Sequence, residues 1–358
     1  MPENLYVHFP FCRSKCRYCA LYSRVGVSAS ARDAYVRRLA AVVNSWGQAP
    51  DSWGQAPDKR LKTVYFGGGS PAFCDLRPIL TALGPWLSAE TEFTVELHPQ
   101  DATGDVLRVL RDGGVNRISM GVQSLDDATL AAMGRGYTSD DAARAFARVK
   151  SFFDNVGIDL IVGYPGDPCT GWEWLSGWGL RHCSVYSLQN ERGLSHVPDD
   201  DWVLDRLRSV ASFLSEIGLE RYEISNYAVS GHACRHNLAV WRGEDYMGLG
   251  AGAYGRIGLR RTRNWGACPQ GAEGSVPKSD EGACPQEAEE TVTPEQDALE
   301  RRIFRLRTRE GLDATGYPAW GQALGKFCET GLLTKEGEIY RLTARGMEVC
   351  DSILAELV

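Results

Sequence analysis

Short runs rich in β-branched and aromatic residues alternate, along the first two thirds of the chain, with longer stretches whose apolar residues recur every third or fourth position. The runs at 5–9, 63–66, 93–97, 117–122, 157–162 and 184–188 read as strands. The stretches at 31–46, 76–87, 104–112, 142–153 and 202–217 read as amphipathic helices. Strand and helix in alternation predict a parallel sheet joined by right-handed crossovers. Such a plan forms either an open doubly wound sheet or a full or partial barrel, and periodicity alone does not separate them.

Beyond residue 298 the pattern turns helical, with helices expected at 299–306 and 317–329, a small hairpin within 332–342 and a closing helix at 344–357. This is a small α-rich tail, winged-helix-like in its order. Two low-complexity segments interrupt the plan. Ser45–Asp51 (SWGQAPD) is repeated unchanged at 52–58 and lengthens a surface loop. GACPQ at 266–270 returns at 282–286 among Glu, Ser and Pro, which reads as a flexible linker. The expected division is 1–260 for the sheet and its extension, 261–297 for a low-complexity insert and 298–358 for the tail.

Composition narrows the partners. The 358 residues are 43% hydrophobic, enough for a sizeable core, and the net charge is −7 with no run of Lys or Arg that could neutralise a row of phosphates. Nucleic acid is therefore excluded as the main ligand. The first nine residues are too soon interrupted for a secretory segment, and no stretch reaches the ~20 apolar residues of a membrane span, so a cytoplasmic protein is expected. Eleven cysteines in a chain of this length do not read as a disulfide framework. Eight of them, at 74, 169, 183, 234, 268, 284, 328 and 350, show no ligand spacing and read as small buried hydrophobes or surface thiols.

The other three are different. Cys12-x3-Cys16-x2-Cys19 follows the first predicted strand on one short loop, where three thiolates can hold three irons of a 4Fe-4S cluster and leave the fourth open. Zinc is the alternative, but a closed zinc site wants four ligands and no fourth is evident nearby. His8, on the strand before the loop, reads as a core residue. Gly67-Gly68-Gly69-Ser70 follows the second strand, where missing side chains let backbone approach a ligand. Glu96 falls near the end of the third strand, at the C-terminal face where a barrel presents its site. Asp159 lies within an apolar strand, where a carboxylate costs free energy unless it is bonded.

This cysteine spacing resembles that of the radical S-adenosylmethionine superfamily. Together with the segments Tyr6–Cys12 (YVHFPFC), 67–71 (GGGSP), 114–124 (GVNRISMGVQS) and 159–166 (DLIVGYPG), it resembles the proteins related to oxygen-independent coproporphyrinogen III oxidase. The resemblance covers residues 5 to about 258 and implies a partial (β/α)6 TIM-like barrel. It also implies S-adenosylmethionine as cofactor, met by Gly68, Gly69 and Ser70 at its amino group and by Glu96 at its ribose hydroxyls. Gln123, Arg135 and Asp159 match further cofactor positions, Arg135 with a fork suited to a carboxylate, and Tyr6 matches one beside the cluster.

Farther on, 222–227 (YEISNY), 236–241 (HNLAVW) and 248–255 (GLGAGAYG) are similar to the haem-chaperone branch, whose HNxxYW motif is associated with haem. His236 is then the candidate axial haem ligand, with Trp241 against the porphyrin. Val240 stands where the motif has Tyr, and Tyr254 where the branch has His. The true oxidases carry a fourth cysteine two residues after the third and a long N-terminal extension; here that position is Leu21. The resemblance thus implies a haem chaperone with haem and haemoprotein clients as partners, including transient contact with membrane haemoproteins. A flavodoxin- or ferredoxin-type electron donor completes the set. The alternatives are a coproporphyrinogen III oxidase-like radical enzyme of porphyrin biosynthesis, acting through a 5′-deoxyadenosyl radical, and a non-catalytic metal-binding module.

Overall fold

The computed structural model describes residues 2–46, 60–265 and 286–357. The first copy of SWGQAPD beyond Trp46, all of the second copy, and both GACPQ repeats except Gln286 lie outside the described residues.

The chain runs β1 (Asn4–Phe9), α1 (Ala29–Ser45), β2 (Thr63–Gly68), α2 (Arg77–Leu83), β3 (Glu92–Leu97), α3 (Gly104–Asp112), β4 (Arg117–Gln123), α4 (Asp127–Met133), α5 (Ser139–Lys150), β5 (Asn155–Val162), β6 (His182–Ser187) and α6 (Asp200–Glu216). Then follow β7 (Glu220–Arg221), β8 (Asn226–Ala228), α7 (Arg235–Trp241), β9 (Tyr246–Leu249), β10 (Tyr254–Ile257), β11 (Arg260–Arg263) and β12 (Ala288–Thr291). The tail holds α8 (Pro294–Leu306), β13 (Leu312–Asp313), α9 (Pro318–Glu329), β14 (Leu333–Glu336), β15 (Ile339–Leu342), α10 (Ala344–Glu348) and α11 (Cys350–Leu357).

Among the described residues β1 to β12 form one sheet in the order β12-β11-β10-β9-β1-β2-β3-β4-β5-β6-β8-β7. Its centre is parallel from β1 to β6, as the sequence predicts, and β9 adds a further parallel strand on the other side of β1. The sheet stays open, with β12 and β7 at its edges, so the architecture is a partial barrel. The crossover helices start where the chemistry directs. Side chains of Ser28, Thr103, Asp126, Thr138 and Asp199 each accept a bond from a first-turn N–H, satisfying a donor that the helix itself leaves orphaned.

The outward face of the parallel strands carries Leu5, Val7, Phe9, Val64, Phe66, Phe93, Val95, Ile118, Met120, Val122, Ile158 and Leu160, all wholly buried. They pack with Val36, Leu39 and Val43 of α1, Ile79 and Leu83 of α2, Leu107 of α3 and Val149 of α5. Each such side chain contributes about 1.5–3 kcal/mol on burial.

Strand β9 and its turn were not expected from periodicity, because they are written in glycine. A Cβ on Gly248 would sit 1.9 Å from the Tyr254 carbonyl oxygen, so only glycine lets β9 and β10 approach this closely. In the stretch expected as a flexible insert, the described ends are β11, β12 and the first turn of α8. The tail is not purely helical: β13, β15 and β14 form a small antiparallel sheet over a core that includes Leu306, Leu324, Tyr340, Leu342 and Ile353. The single closing helix expected at 344–357 is two helices, since Val349 leaves helical geometry at φ −117°. Arg256, almost fully buried, and Arg261 meet Asp297 and Glu300 and tie the β10–β11 hairpin to α8.

No helix among the described residues is long and apolar enough to cross a membrane.

Candidate functional site

Parallel strands covered on both faces normally read as unbroken apolar runs. These strands instead alternate, as in NLYVHF, TVYFGG, EFTVEL and NVGIDLIV. One accessible position interrupts a buried strand at Tyr6, Tyr65, Glu96, Gly121 and Asp159. Register places Tyr6 beside Tyr65, Glu96 beside Ser119, and Gly121 beside Asp159, so these positions form one polar band across the face turned away from the helices. The band lines a cleft, with Tyr6 and Tyr65 at its floor.

At the C-terminal ends of the strands the cleft meets the cysteine loop. Cys12, Cys16 and Cys19 are half-buried and free. The loop is pinned by backbone bonds from Cys12 N–H to the Arg24 carbonyl (3.0 Å), from Cys19 N–H to the Cys16 carbonyl (3.2 Å) and from Arg17 N–H to the Met133 carbonyl (3.0 Å). Burial pushes the Cys12 thiol up, and Cys19 and Cys16 lie near enough to push the same way. Among the described residues no three His, Cys, Asp or Glu side chains converge to hold a single metal ion. In a cubane cluster each cysteine binds a different iron, so the three sulfurs have no need of a common point.

The glycine loop fits against these thiols. A Cβ on Gly69 would lie 2.8 Å from Cys12 Sγ and 2.6 Å from the Phe11 carbonyl oxygen, so a side chain there would displace the cysteine loop. Gly68 adopts φ 109° and donates its N–H to Glu96 Oε2 at 3.0 Å. Ser70, expected beside the cofactor, is buried, and its hydroxyl donates to Asp101 Oδ2 at 2.6 Å. The other Asp101 oxygen accepts from Arg13, which stands between Cys12 and Cys16. Asp101 thus clamps the cysteine loop to the glycine loop.

Arg135 closes the other side. Its guanidinium donates to Cys16 Sγ (3.4 Å), to the Gly121 carbonyl (2.8 Å) and to the Tyr137 hydroxyl (2.9 Å). Burial opposes its charge, but the Tyr137 and Tyr18 phenols and the Cys16 thiol outweigh that and hold it firmly protonated. Gln123 ends β4 at φ 74°, where the ladder to β5 slips by one residue. A non-glycine residue held there costs of order 1–3 kcal/mol. A glycine group backed by thiols, a fixed cation and two carboxylates is a donor set that fits an iron–sulfur cluster with a charged small-molecule cofactor.

Those carboxylates influence each other. Burial, and then the charge of Asp159, push Glu96 up to about 7, against bonds from Tyr65 (2.9 Å) and Gly68. Asp159 is also raised by burial, while Ser184 and Ser119 (3.0 Å) favour its ionised form. Between its ordinary value and about 7, Glu96 binds a proton in the fold that the unfolded chain releases. Its contribution to stability is therefore full at low pH and lost as pH rises through 7. Carboxyl-selective carbon NMR of the apoprotein should show a Glu96 midpoint near neutrality that drops in Asp159→Asn; a midpoint near 4.5 in the wild type would remove the coupling.

Tyr6 and Tyr65 form the cleft floor, stacked at 6.0 Å, and His236 lies beneath them, 5.3 Å from Tyr65 and 6.3 Å from Tyr6. His236 is 4% exposed. Its Nδ1 shares a proton with Thr63 Oγ1 at 2.8 Å, its backbone N–H donates to Glu92 Oε1 at 3.0 Å, and burial together with Arg117 lowers the ring to about 3. It sits at the N-terminal ends of the strands, opposite the cysteine loop, so the residue expected to face a haem is here a neutral ring in the barrel floor. Trp241, expected against a porphyrin, packs edge-on against Phe304 of α8 at 5.8 Å. Val240 is half-buried, while Tyr254 is 55% exposed, with the Arg263 guanidinium 4.7 Å above its ring.

Tyr65, Asp101, Arg117 and Tyr137 also build the site and were not singled out from sequence. For Tyr65 and Arg117 the polar alternation within strands was the available signal. His8 is a core residue as expected, bonded to Tyr6 (3.0 Å) and to the Tyr22 carbonyl (2.9 Å).

Residues 6–168 match the Radical SAM superfamily. The chain is 33% identical over 285 residues to a protein of Lactococcus lactis described as heme chaperone HemW, covering 74% of this chain and 72% of that one. A Bacillus subtilis protein of the same description is 30% identical over 396 aligned positions, covering 99% and 100%. The fold is similar to that of coproporphyrinogen III oxidase (HemN) from Escherichia coli, with a TM-score of 0.77 over 98% of this chain and 89% of that one, at 19% identity. By its sequence over nearly its whole length, and by this fold, the chain belongs to the radical S-adenosylmethionine superfamily and, within it, to the family of the proteins described as heme chaperone HemW.

Proposed function

We propose that the chain binds a 4Fe-4S cluster and S-adenosylmethionine in the cleft, and binds haem for delivery to haemoproteins. The observation that carries the first part is the loop of Cys12, Cys16 and Cys19 held between Gly69, Arg135 and the Arg13–Asp101 clamp. The three thiolates would hold three irons; the open iron and the bound sulfonium supply one-electron chemistry when both are present. Arg135 would hold the methionyl carboxylate, Gly68 and Gly69 would present backbone to its amino group, and Glu96 would accept from the ribose hydroxyls. Bonds of that kind favour the ionised carboxylate and would draw Glu96 back below neutrality. Gln123, Asp159 and Tyr6 would line the remaining cofactor surface, and Ser70 would act from behind, through Asp101.

Family membership supports the haem reading. The burial of His236 favours a second one, a porphyrinogen-oxidising radical enzyme, in which that ring is part of the floor and no iron ligand is needed there. In either reading the sheet and its extension, residues 1–260, would hold the cofactors, with 298–358 as an accessory domain in a cytoplasmic protein.

Anaerobic reconstitution followed by haem titration tests both. The expected result is about one haem per chain with a shifted Soret band, and a reduced-cluster paramagnetic signal altered by S-adenosylmethionine. A cofactor-sensitive cluster with no Soret shift would replace the chaperone reading with the radical-enzyme one, checked by vinyl product from coproporphyrinogen III. No cluster at all would remove both.

A further inference from the structure

Strand β4 ends in a turn that its own sequence does not demand. Gln123 sits at φ 74°, and the Ser124 N–H closes back on the Val122 carbonyl at 3.0 Å. A bond from residue i+2 to residue i across a positive φ is the rare, strained form of the γ-turn. A conformation of this kind persists only where its surroundings hold it. The turn also has an effect on the cleft. A Cβ placed on Gly121 would lie 2.7 Å from Gln123 Nε2 and 3.6 Å from an Arg135 guanidinium nitrogen. The Gln123 amide is therefore folded back over Gly121, inside the polar band and beside the cation that reaches Cys16. An extended backbone would instead carry residue 123 about 7 Å beyond Gly121 along the strand.

The group that holds the turn lies on another loop. Asp167, in the connection after β5, is 6% exposed, and among the described residues no Lys or Arg pairs with it. Its Oδ2 accepts from the Ser124 hydroxyl and its Oδ1 from the Cys169 N–H, both at 2.7 Å. Ser124 Oγ in turn accepts the Asp126 N–H at 3.1 Å, and Asp126 caps α4, whose Leu130 carbonyl receives the Arg135 N–H at 2.9 Å. A buried carboxylate without a cation costs free energy unless its bonds compensate. Here one of the two bonds goes to its own loop, and the other to the residue that joins Gln123 to the helix leading to Arg135.

We infer that Asp167 is a positioning residue of the cleft: through the Ser124 hydroxyl it holds Gln123 in the turn that sets its amide beside Arg135, and so prepares the surface for S-adenosylmethionine. The inference rests on the cofactor reading above.

The test uses the full chain and two readouts, amide exchange in the apoprotein and calorimetric affinity for S-adenosylmethionine after reconstitution. Asp167→Ala and Ser124→Ala should each speed exchange of the residue 124 amide at least ~10-fold and weaken the cofactor by about 10-fold, at wild-type iron content. Ser124→Ala removes a single oxygen and carries the test even where Asp167→Ala fails to fold. Asp167→Asn, which keeps the shape and one acceptor, should fall between Asp167→Ala and the wild type. In a Gln123→Gly background, where φ 74° is unstrained and the amide is gone, Ser124→Ala should change the affinity less than ~2-fold. Wild-type affinity in both single variants would overturn the proposal. So would the full ~10-fold loss retained on Gln123→Gly, because the tie would then act elsewhere than through Gln123. A wild-type chain that takes up its cluster but binds no cofactor would remove the cofactor reading and this proposal with it, an outcome that the wild-type titration alone identifies.

Discussion

Asp101→Ala should leave a chain that folds but sheds iron from a reconstituted cluster to a chelator at least ten times faster than the wild type. The Asp101 side chain is 1% exposed, and its two oxygens are divided between loops that share no other charged tie among the described residues: Arg13 of the cysteine loop on one, Ser70 of the glycine loop on the other. Truncation leaves a buried hydroxyl without its acceptor and a guanidinium without its counter-charge. Because Arg13 is half exposed and water can reach it, the stability cost should be about 2–3 kcal/mol rather than the larger penalty of a fully buried pair. The cysteine loop should show the loss first, as faster amide exchange at 12–19 in the apoprotein. Asp101→Asn, which keeps the shape and one acceptor, should fall between, and iron release at the wild-type rate from both variants would dismiss the clamp.

His236→Ala should destabilise the apoprotein by about 3–5 kcal/mol in denaturant unfolding, with no haem present. The substitution removes a ring packed against Tyr6, Tyr65 and Tyr246 and takes from the buried Thr63 hydroxyl one of its two partners, leaving it Asn4 Oδ1. A pH series distinguishes this from a general packing defect. The fold holds His236 neutral down to about 3 while the unfolded chain protonates it near its ordinary 6.5. The wild type therefore has the full benefit of this residue above about 6.5 and loses it progressively as the pH falls toward 3. The deficit of the variant should be largest at neutral pH and shrink on acidification. A variant as stable as the wild type at pH 7 would show that the imidazole is dispensable to the floor and return it to the list of available iron ligands.

What could be read from the chain divides along physical lines. Strands β1 to β6 were legible because each buries an apolar face, and α3 was legible to the residue because Thr103 caps it and its buried leucines keep helical spacing. The strands on both flanks were not. RRTR in β11 and AEET in β12 pair with almost no apolar side chain, held by register and by cross-strand charge such as Arg260 with Glu289. At seven residues, α7 is too short to establish a period. Within the site, the structure places Glu96, Asp159, Arg135 and the cysteines along one cleft, each on a different strand end or loop. Asp101 was invisible because HPQD reads as a turn, and its role exists only once three distant loops meet. His236 was conspicuous as a motif, but nothing local in HNLAVW says that one end of that helix is buried under tyrosines.

That short helix has a mechanical meaning. At about 1.5 Å per residue, α7 spans only some 10 Å. Its first turn is fastened to the barrel floor, with two backbone N–H groups on the Glu92 carboxylate, and its last residue is wedged against Phe304 of the tail. One seven-residue helix thus carries both the ring beneath Tyr6 and Tyr65 and the indole that meets α8, so the floor of the cleft and the tail share a single short element.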